Sequence, residues 1–315
     1  TELSNSKKSE QILKSVVAVI DLERARAQLK LAQENANSRL AIVNLVKERF
    51  KLGGGAKPDV IRAESRYAES LANITNAKNR LKGAEEGYRE LFGAKAVGIV
   101  NGPNYEIPLE SLDKSPQELA TTYPALLQLG HARDAARADA DAAKVALFPR
   151  LNLVYDNALS GISSPYGPSR NQSIVLEVRY NFYTGGAETA RKDAAHFKAQ
   201  QAEQEFQAGI RQFDHAISQA QQEVRNSDDL LNSRKMAALS AISSMRAVRE
   251  QFAFNKGTLL DLLTVQENLY YAGRDLVDAE SDRHVLRYRY LHLSSGLDKL
   301  FDIHEATPNV KAQLR

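Results

Sequence analysis

Residues 173–183 read Ser173-Ile174-Val175-Leu176-Glu177-Val178-Arg179-Tyr180-Asn181-Phe182-Tyr183. On an extended chain Ile174, Leu176, Val178, Tyr180 and Phe182 point one way. Ser173, Val175, Glu177, Arg179, Asn181 and Tyr183 point the other. A period of two with one apolar and one polar side marks a strand. Upstream of it, after Pro149, Leu151, Leu153 and Tyr155 alternate with Asn152, Val154 and Asp156, and a Gly/Ser/Pro-rich loop over 160–170 joins the two runs. The two runs are expected to pair as a β-hairpin.

A lone hairpin is marginal in water. Two readings follow. In one, the apolar side packs on a helix. In the other, the hairpin belongs to a transmembrane barrel, with Ile174, Leu176, Val178 and Phe182 against lipid and Glu177 and Arg179 facing a watery lumen. Strands of about 9–11 residues cross a membrane, and 173–183 is long enough. Tyr180, Phe182 and Tyr183 gather at one end, as aromatic residues do at a membrane interface.

Outside this segment the chain reads as helix. Proline is absent from 1–57 and from 169–307, and both stretches are rich in Ala, Gln, Glu, Lys and Arg. Helices are expected at about 4–52, 59–92, 117–147, 187–254 and 259–296. At about 1.5 Å per residue, the fourth is a rod of roughly 100 Å. Ile210, Ile217, Val224 and Leu231 stand seven apart, with Phe206 and Phe213 between them and Ala208, Ala216 and Ala220 alongside. Such a repeat supercoils against neighbouring helices. A helical barrel and a solitary dimeric coiled coil both account for it.

The chain also repeats itself. A shift of 202 positions sets Glu48 on Glu250, Phe50 on Phe252, Gly55 on Gly257, Asp59 on Asp261, Ala77 on Ala279 and Tyr88 on Tyr290. It sets Val60-Ile61 on Leu262-Leu263, and upstream Ala36 on Ala238 and Val46 on Val248. Two helical hairpins of one design are therefore expected. Gly53 and Asn255, three residues past the matched phenylalanines, are the residue types that best take a left-handed helix cap. Asp59 and Asp261 each fall in the first turn of a helix, where a carboxylate favours the dipole, and Thr258 with Asp261 has capping-box spacing. Between the hairpins, Gly93, Gly98, Gly102, Pro103, Pro108 and Pro116 mark an irregular connector. Ser115-Pro116-Gln117-Glu118 then reads as a helix start, and Tyr123-Pro124 as a bend or restart. The expected division is a first helical hairpin (1–92), a connector (93–116), a helix (117–148), a β-hairpin (149–184), a second helical hairpin (185–297) and a C-terminal tail (298–315).

Chemistry is not expected from this chain. With no cysteine, disulfides, thiol nucleophiles and Cys-ligated metals are excluded. A net charge of +3 is too small to call for a nucleic-acid partner. No run of about 20 apolar residues marks a transmembrane helix. Gly53-Gly54-Gly55-Ala56-Lys57-Pro58 fails as a phosphate loop, because Pro58 stands where Ser or Thr should bind magnesium. Neither G-x-S-x-G nor H-E-x-x-H occurs. His284 and His292 lie eight apart on one expected helix, whereas a helical metal pair prefers i,i+4. No cofactor and no metal site are expected, and no enzyme.

The order helical hairpin, connector, helix, β-hairpin, Gly-Gly, helical hairpin resembles the TolC-like outer-membrane factors. Four stretches carry the resemblance: Ala146-Leu147-Phe148-Pro149-Arg150-Leu151; Tyr180-Asn181-Phe182-Tyr183-Thr184-Gly185-Gly186; Arg49-Phe50-Lys51-Leu52-Gly53 with Pro58-Asp59-Val60-Ile61-Arg62-Ala63; and Gln251-Phe252-Ala253-Phe254-Asn255-Lys256-Gly257-Thr258-Leu259-Leu260-Asp261-Leu262-Leu263. The last, continuing into Gln266-Glu267-Asn268-Leu269-Tyr270, looks most like the branch serving type I secretion, including adhesin export.

The resemblance implies a mainly α fold whose long antiparallel hairpins form a periplasmic α-barrel and whose strands enter a trimeric transmembrane β-barrel. It implies the outer membrane of a Gram-negative bacterium, a homotrimer in outer-membrane lipid, a periplasmic membrane-fusion adaptor and, through it, an inner-membrane ABC transporter or other pump. The adaptor would dock at the turns, on Gly53, Gly54, Gly55, Lys57, Asn255, Lys256 and Gly257. Asp261, with Thr264 where the family has a second acid, and Asp59 would stand at the periplasmic gate. A small-molecule efflux duct of the same family and a soluble coiled-coil scaffold are the alternatives. Only the second repeat carries a β-hairpin; by the 202-residue shift Thr1 matches Glu203, already past the strands, so a chain truncated at its N-terminus is expected.

Overall fold

The computed structural model describes residues 2–96, 112–160, 169–180 and 182–301. Its elements are α1 (Glu2–Lys51), α2 (Lys57–Phe92), α3 (Pro116–Ala120), α4 (Pro124–Val145), β1 (Arg150–Ser160), β2 (Ser169–Arg179), α5 (Ala187–Ala253), α6 (Leu259–Leu293) and α7 (Gly296–Leu300). Much of the connector (97–111), most of the strand loop (161–168), Asn181 and the tail past 301 lie outside the described residues. The architecture is mainly helical with one β-hairpin. The chain forms two compact units, Thr1–Pro124 with Phe213–Arg315, and Ala125–Gln212.

In the first unit α1 lies antiparallel to α2 and to α6. Lys47 pairs with Glu64 at 2.6 Å, and the Arg80 guanidinium reaches Gln28 Oε1 at 3.4 Å. On the other side Arg24 pairs with Asp282 at 2.5 Å, and Gln28 Nε2 donates to Asp278 at 2.6 Å. Small side chains let these helices approach: Ala25, Ala32 and Ala36 of α1 and Ala63, Ser70 and Ala77 of α2 are buried. The expected seam of α5 is buried at Ile217, Val224 and Leu231, with Phe213 and Ala220 beside it. Each such large apolar side chain contributes about 1.5–3 kcal/mol on leaving water.

The helix expected over 117–147 is two helices. Ser115 Oγ accepts the Glu118 N–H at 3.3 Å and starts α3, as its spacing suggested. The chain restarts at Pro124, which has no N–H to continue a helix.

In the second unit α4 packs on the first part of α5. A Cβ on Gly209 would meet Leu129 Cδ1 at 2.6 Å, so a larger residue there would have to push the Leu129 side chain aside. The Arg133 guanidinium lies over the Phe206 ring at 4.5 Å, and Arg137 pairs with Glu203 at 2.6 Å. β1 and β2 are antiparallel, with Arg150 opposite Arg179, Leu153 opposite Leu176 and Tyr155 opposite Ile174.

The second strand is displaced from its expected span. It runs over 169–179, not 173–183, so Phe182 is not a strand residue. The ladder stops at the Arg150–Arg179 pair because the residue before Arg150 is Pro149, which has no N–H to offer.

Candidate functional site

Two turns and one strand face hold the residues singled out by sequence. At the end of α1, Gly53 takes φ +81, its N–H donates to Phe50 O at 3.1 Å, and the Gly54 N–H donates to Arg49 O at 3.0 Å. At the end of α5, Asn255 takes φ +58, its N–H donates to Phe252 O at 3.2 Å, and the Lys256 N–H donates to Gln251 O at 2.8 Å. Both are Schellman caps, built on matched residues. A Cβ on Gly55 would sit 3.1 Å from Phe50 N, and one on Gly257 would sit 3.3 Å from Phe252 N. The matched glycines thus serve a matched close approach, which the repeat had signalled without giving its cause.

The helices that leave the turns differ. Thr258 caps α6: the Asp261 N–H donates to Thr258 Oγ1 at 3.2 Å, and Asp261 Oδ2 accepts from the Thr258 hydroxyl at 2.6 Å and from its N–H at 3.4 Å. The expected capping box is therefore present. α2 has Ala56 at the same place, with no capping side chain, and Asp59 pairs with Arg62 at 3.7 Å. The Thr264 hydroxyl turns back on its own helix and donates to Leu260 O at 2.9 Å. Lys57, Lys256, Asp261 and Thr264 are exposed. Leu52 and Phe254, also 202 positions apart, are large apolar residues exposed at the two turns.

The turns stand together on one cluster: Ile42, Val43 and Val46 of α1, Ala63 of α2, Phe252 of α5 and Leu259, Leu262 and Leu263 of α6. Arg49 fastens them. Its Nη2 donates to Phe252 O at 2.5 Å and Ala253 O at 3.3 Å, while its guanidinium lies 4.2 Å from the centre of the Phe252 ring. Sequence reading missed this role. A basic residue in a last helical turn suggests its own helix dipole, not another helix's carbonyls.

Further along the hairpins lie buried and half-buried polar contacts that sequence reading also missed. Gln266 Nε2 donates to Asn35 Oδ1 at 3.0 Å, with both side chains buried. Arg39 Nη1 donates to Arg66 O at 2.7 Å; burial pushes its guanidinium pKa down against the pull of Glu267 and Glu69. Asp228 of α5 accepts from Arg283 at 2.5 Å and Arg287 at 3.1 Å on α6. Burial pushes the Asp228 carboxyl up, but the Arg283 hydrogen bond and the charges of Arg287 and Arg283 together outweigh it and hold the carboxyl below its usual range. His292 meets Ser9 Oγ at 2.9 Å across α1 and α6. Among the described residues no group of three His, Cys, Asp or Glu side chains could hold a metal ion.

The hairpin register puts Leu151, Leu153 and Tyr155 on one face with Val178, Leu176 and Ile174. All six are exposed. The other face carries Asn152, Asp156, Glu177 and Arg179 around a central Val154–Val175 pair, with Glu177 and Arg179 paired at 2.7 Å. Phe182, beyond the strand, packs edge-on against Tyr180 with ring centres 4.8 Å apart. A contiguous apolar face of this size is a contact surface for lipid or protein. Among the described residues no helix is long and apolar enough to cross a membrane.

Residues 115–287 match the family model described as "Outer membrane efflux protein". The chain is similar to the outer membrane efflux protein BepC of Brucella suis, 25% identical over 91% of this chain and 63% of the relative. It is similar to the outer membrane protein TolC of Escherichia coli, 23% identical over 89% of this chain and 59% of the relative. It thus spans about 60% of the length of these relatives. A solved membrane protein from Pseudomonas aeruginosa superimposes with a TM-score of 0.82 at 17% identity, over 93% of this chain and 69% of that one. The fold is that of this membrane protein, long helical hairpins with a β-hairpin. With more than half its length matched, the chain belongs to the outer membrane efflux protein family, a family of Gram-negative outer-membrane channels and not of enzymes.

Proposed function

We propose that the protein is the outer-membrane exit duct of a tripartite export system, of the type I protein-secretion kind. The observation that carries this reading is the hairpin, six exposed apolar side chains on one face and a Glu177–Arg179 pair on the other. An open sheet edge is not tolerated in lipid, so the strands must close into a barrel with further strands. A homotrimer supplies them. Ile174, Leu176 and Val178 then meet lipid and Glu177 and Arg179 the lumen. Phe182, next to Tyr180, stands at the interface with the aromatic residues.

The turns are the docking tips for a periplasmic adaptor, which couples the duct to an inner-membrane ABC transporter or other pump. Exposed Leu52 and Phe254 beside Gly53–Lys57 and Asn255–Gly257 give a protein partner apolar anchors. Asp261, with Thr264 on the same helix α6 and Asp59 at the matched place on α2, forms the gate. Three Asp261 carboxylates near the axis of a narrow end repel one another and attract cations.

The run from Gln251 to Leu263 supports protein export. Similarity to BepC, an outer membrane efflux protein, favours the second reading, an efflux duct of the same family for small molecules. Family membership sets the soluble scaffold aside. Deleting the gene and restoring the full-length protein separates the two readings. Protein export predicts loss and return of a secreted protein in the medium, with dye accumulation unchanged. Altered dye accumulation with an unchanged secretome would overturn it.

A further inference from the structure

The lipid face proposed for the hairpin ends in a single charge. Its apolar rows are Leu151–Val178, Leu153–Leu176 and Tyr155–Ile174. The next row on the same face is Asn157–Gln172, and beyond it comes Arg170. Asn157, Arg170 and Gln172 are all exposed. Arg170 is the only charged residue from 157 to 176.

The neighbours hold this guanidinium without neutralising it. Arg170 Nε donates to Asn157 Oδ1 at 3.1 Å. With the Gln172 amide turned towards it, the Gln172 side-chain oxygen accepts from Nε at 3.1 Å and from Nη2 at 3.3 Å. Both partners are neutral amides. Asp156 and Glu177, the carboxylates that flank Arg170 in sequence, lie on the other face of the hairpin. The loop over 161–168 contains no charged residue. The positive charge is therefore fixed in place and open to an anion.

Strand geometry gives its depth. Arg170 and Tyr180 fall on the same side of the chain, ten residues apart, with Tyr180 just past the end of β2. At about 3.4 Å per residue they are about 34 Å apart along the strand. A tilt of about 40° reduces this to about 26 Å along the membrane normal. The apolar band of a membrane barrel is about 25 Å tall, with aromatic residues at its borders. Tyr180 and Phe182 mark one border, so Arg170 stands at the other. That is where a lipid-facing arginine is tolerated, since its cost falls steeply from the midplane to the interface. α4 and α5 join the hairpin at the Arg150–Arg179 end, which makes the Arg170 end the outer one. At the inner end Arg150 and Arg179 lie on the lumen face, so within the two strands only the outer border presents a cation to lipid.

We infer that Arg170, held by Asn157 and Gln172, binds a phosphate of the phosphorylated glycolipid that forms the outer leaflet. A guanidinium matches a phosphate with two parallel N–H···O bonds, and headgroup phosphates are the anions at this depth. The inference rests on the membrane barrel proposed above and adds a lipid site to its outer rim.

The test titrates delipidated full-length protein in detergent with bisphosphorylated lipid A and reads bound lipid by native mass spectrometry. Arg170→Gln is expected to weaken binding about tenfold or more through loss of a charged, bidentate contact. Arg170→Lys should fall between the two, because an ammonium keeps the charge and loses the fork. Lipid A stripped of its phosphates should bind wild type and Arg170→Gln equally. Arg150→Gln, on the lumen face, should bind the phosphorylated lipid as wild type does. Equal affinity of wild type and Arg170→Gln for the phosphorylated lipid, or an equal loss in Arg150→Gln, overturns the site and leaves the barrel standing. A wild-type protein that stays soluble without detergent and binds neither lipid overturns the barrel and the site with it.

Discussion

Arg49, in the last turn of α1, caps the C-terminus of α5: its guanidinium donates to Phe252 O at 2.5 Å and lies over the Phe252 ring at 4.2 Å. The last carbonyls of a long helix have no partner of their own. Phe252 O takes the Asn255 N–H of its own turn and, from the other hairpin, the Arg49 guanidinium, so the two turns are held as one end. Arg49→Ala is expected to remove a charge-assisted hydrogen bond and a cation–π contact, costing about 1–3 kcal/mol. Arg49→Lys should restore only part of this, because an ammonium lacks the planar fork. Denaturant unfolding of the full-length protein, followed by circular dichroism, checks both.

The two matched helix starts make a paired experiment. Thr258→Ala removes the cap of α6 and should cost about 1 kcal/mol. Ala56→Thr installs the same cap on α2 and should add stability of similar size. The same unfolding curves are expected to move in opposite directions for the two variants.

Thr258→Ala also serves the gate. It removes the cap and leaves the Asp261 charge, whereas Asp261→Asn removes the charge. If Asp261 gates, single-channel recordings should show reduced cation preference for Asp261→Asn and unchanged preference for Thr258→Ala. Equal reversal potentials in wild type and both variants would leave Asp261 with capping alone.

Asp228 links α5 to two arginines of α6, and its carboxyl is held below the usual carboxylate range. A depressed folded-state pKa means that the stability it contributes is complete above the unfolded value, about 4. It is lost as pH falls through the lower folded value. Melting temperature should therefore be insensitive to this group near neutrality and should fall with acid below about pH 4. Asp228→Asn should flatten that fall and cost about 1–3 kcal/mol at pH 7 through lost charged hydrogen bonds.

Much of this was legible because the chain writes its design twice. Gly53 and Asn255 are different residues, yet their common offset and their taste for positive φ announced two matched turns. Pro124 announced the break between α3 and α4. The displaced strand was not legible, since alternation gives the face of a residue and not the end of its ladder; Pro149, just before the partner strand, sets that end. Arg49, Arg39 and Asp228 were not legible either. Their partners lie on other helices, up to 204 residues away for Arg49, and local spacing says nothing about such pairs.

The hairpin faces test the central claim most directly. Leu176 pairs with Leu153 on the apolar face and Glu177 with Asn152 on the polar one. Arginine at Leu176 should cost about 2–4 kcal/mol if it lies near the membrane midplane. The decisive measurement uses Leu176→Cys and Glu177→Cys in the full-length protein, inserted in outer membranes and exposed to a water-soluble maleimide. A membrane barrel predicts rapid labelling at 177 and protection at 176; rapid labelling at 176 with protection at 177 would contradict it.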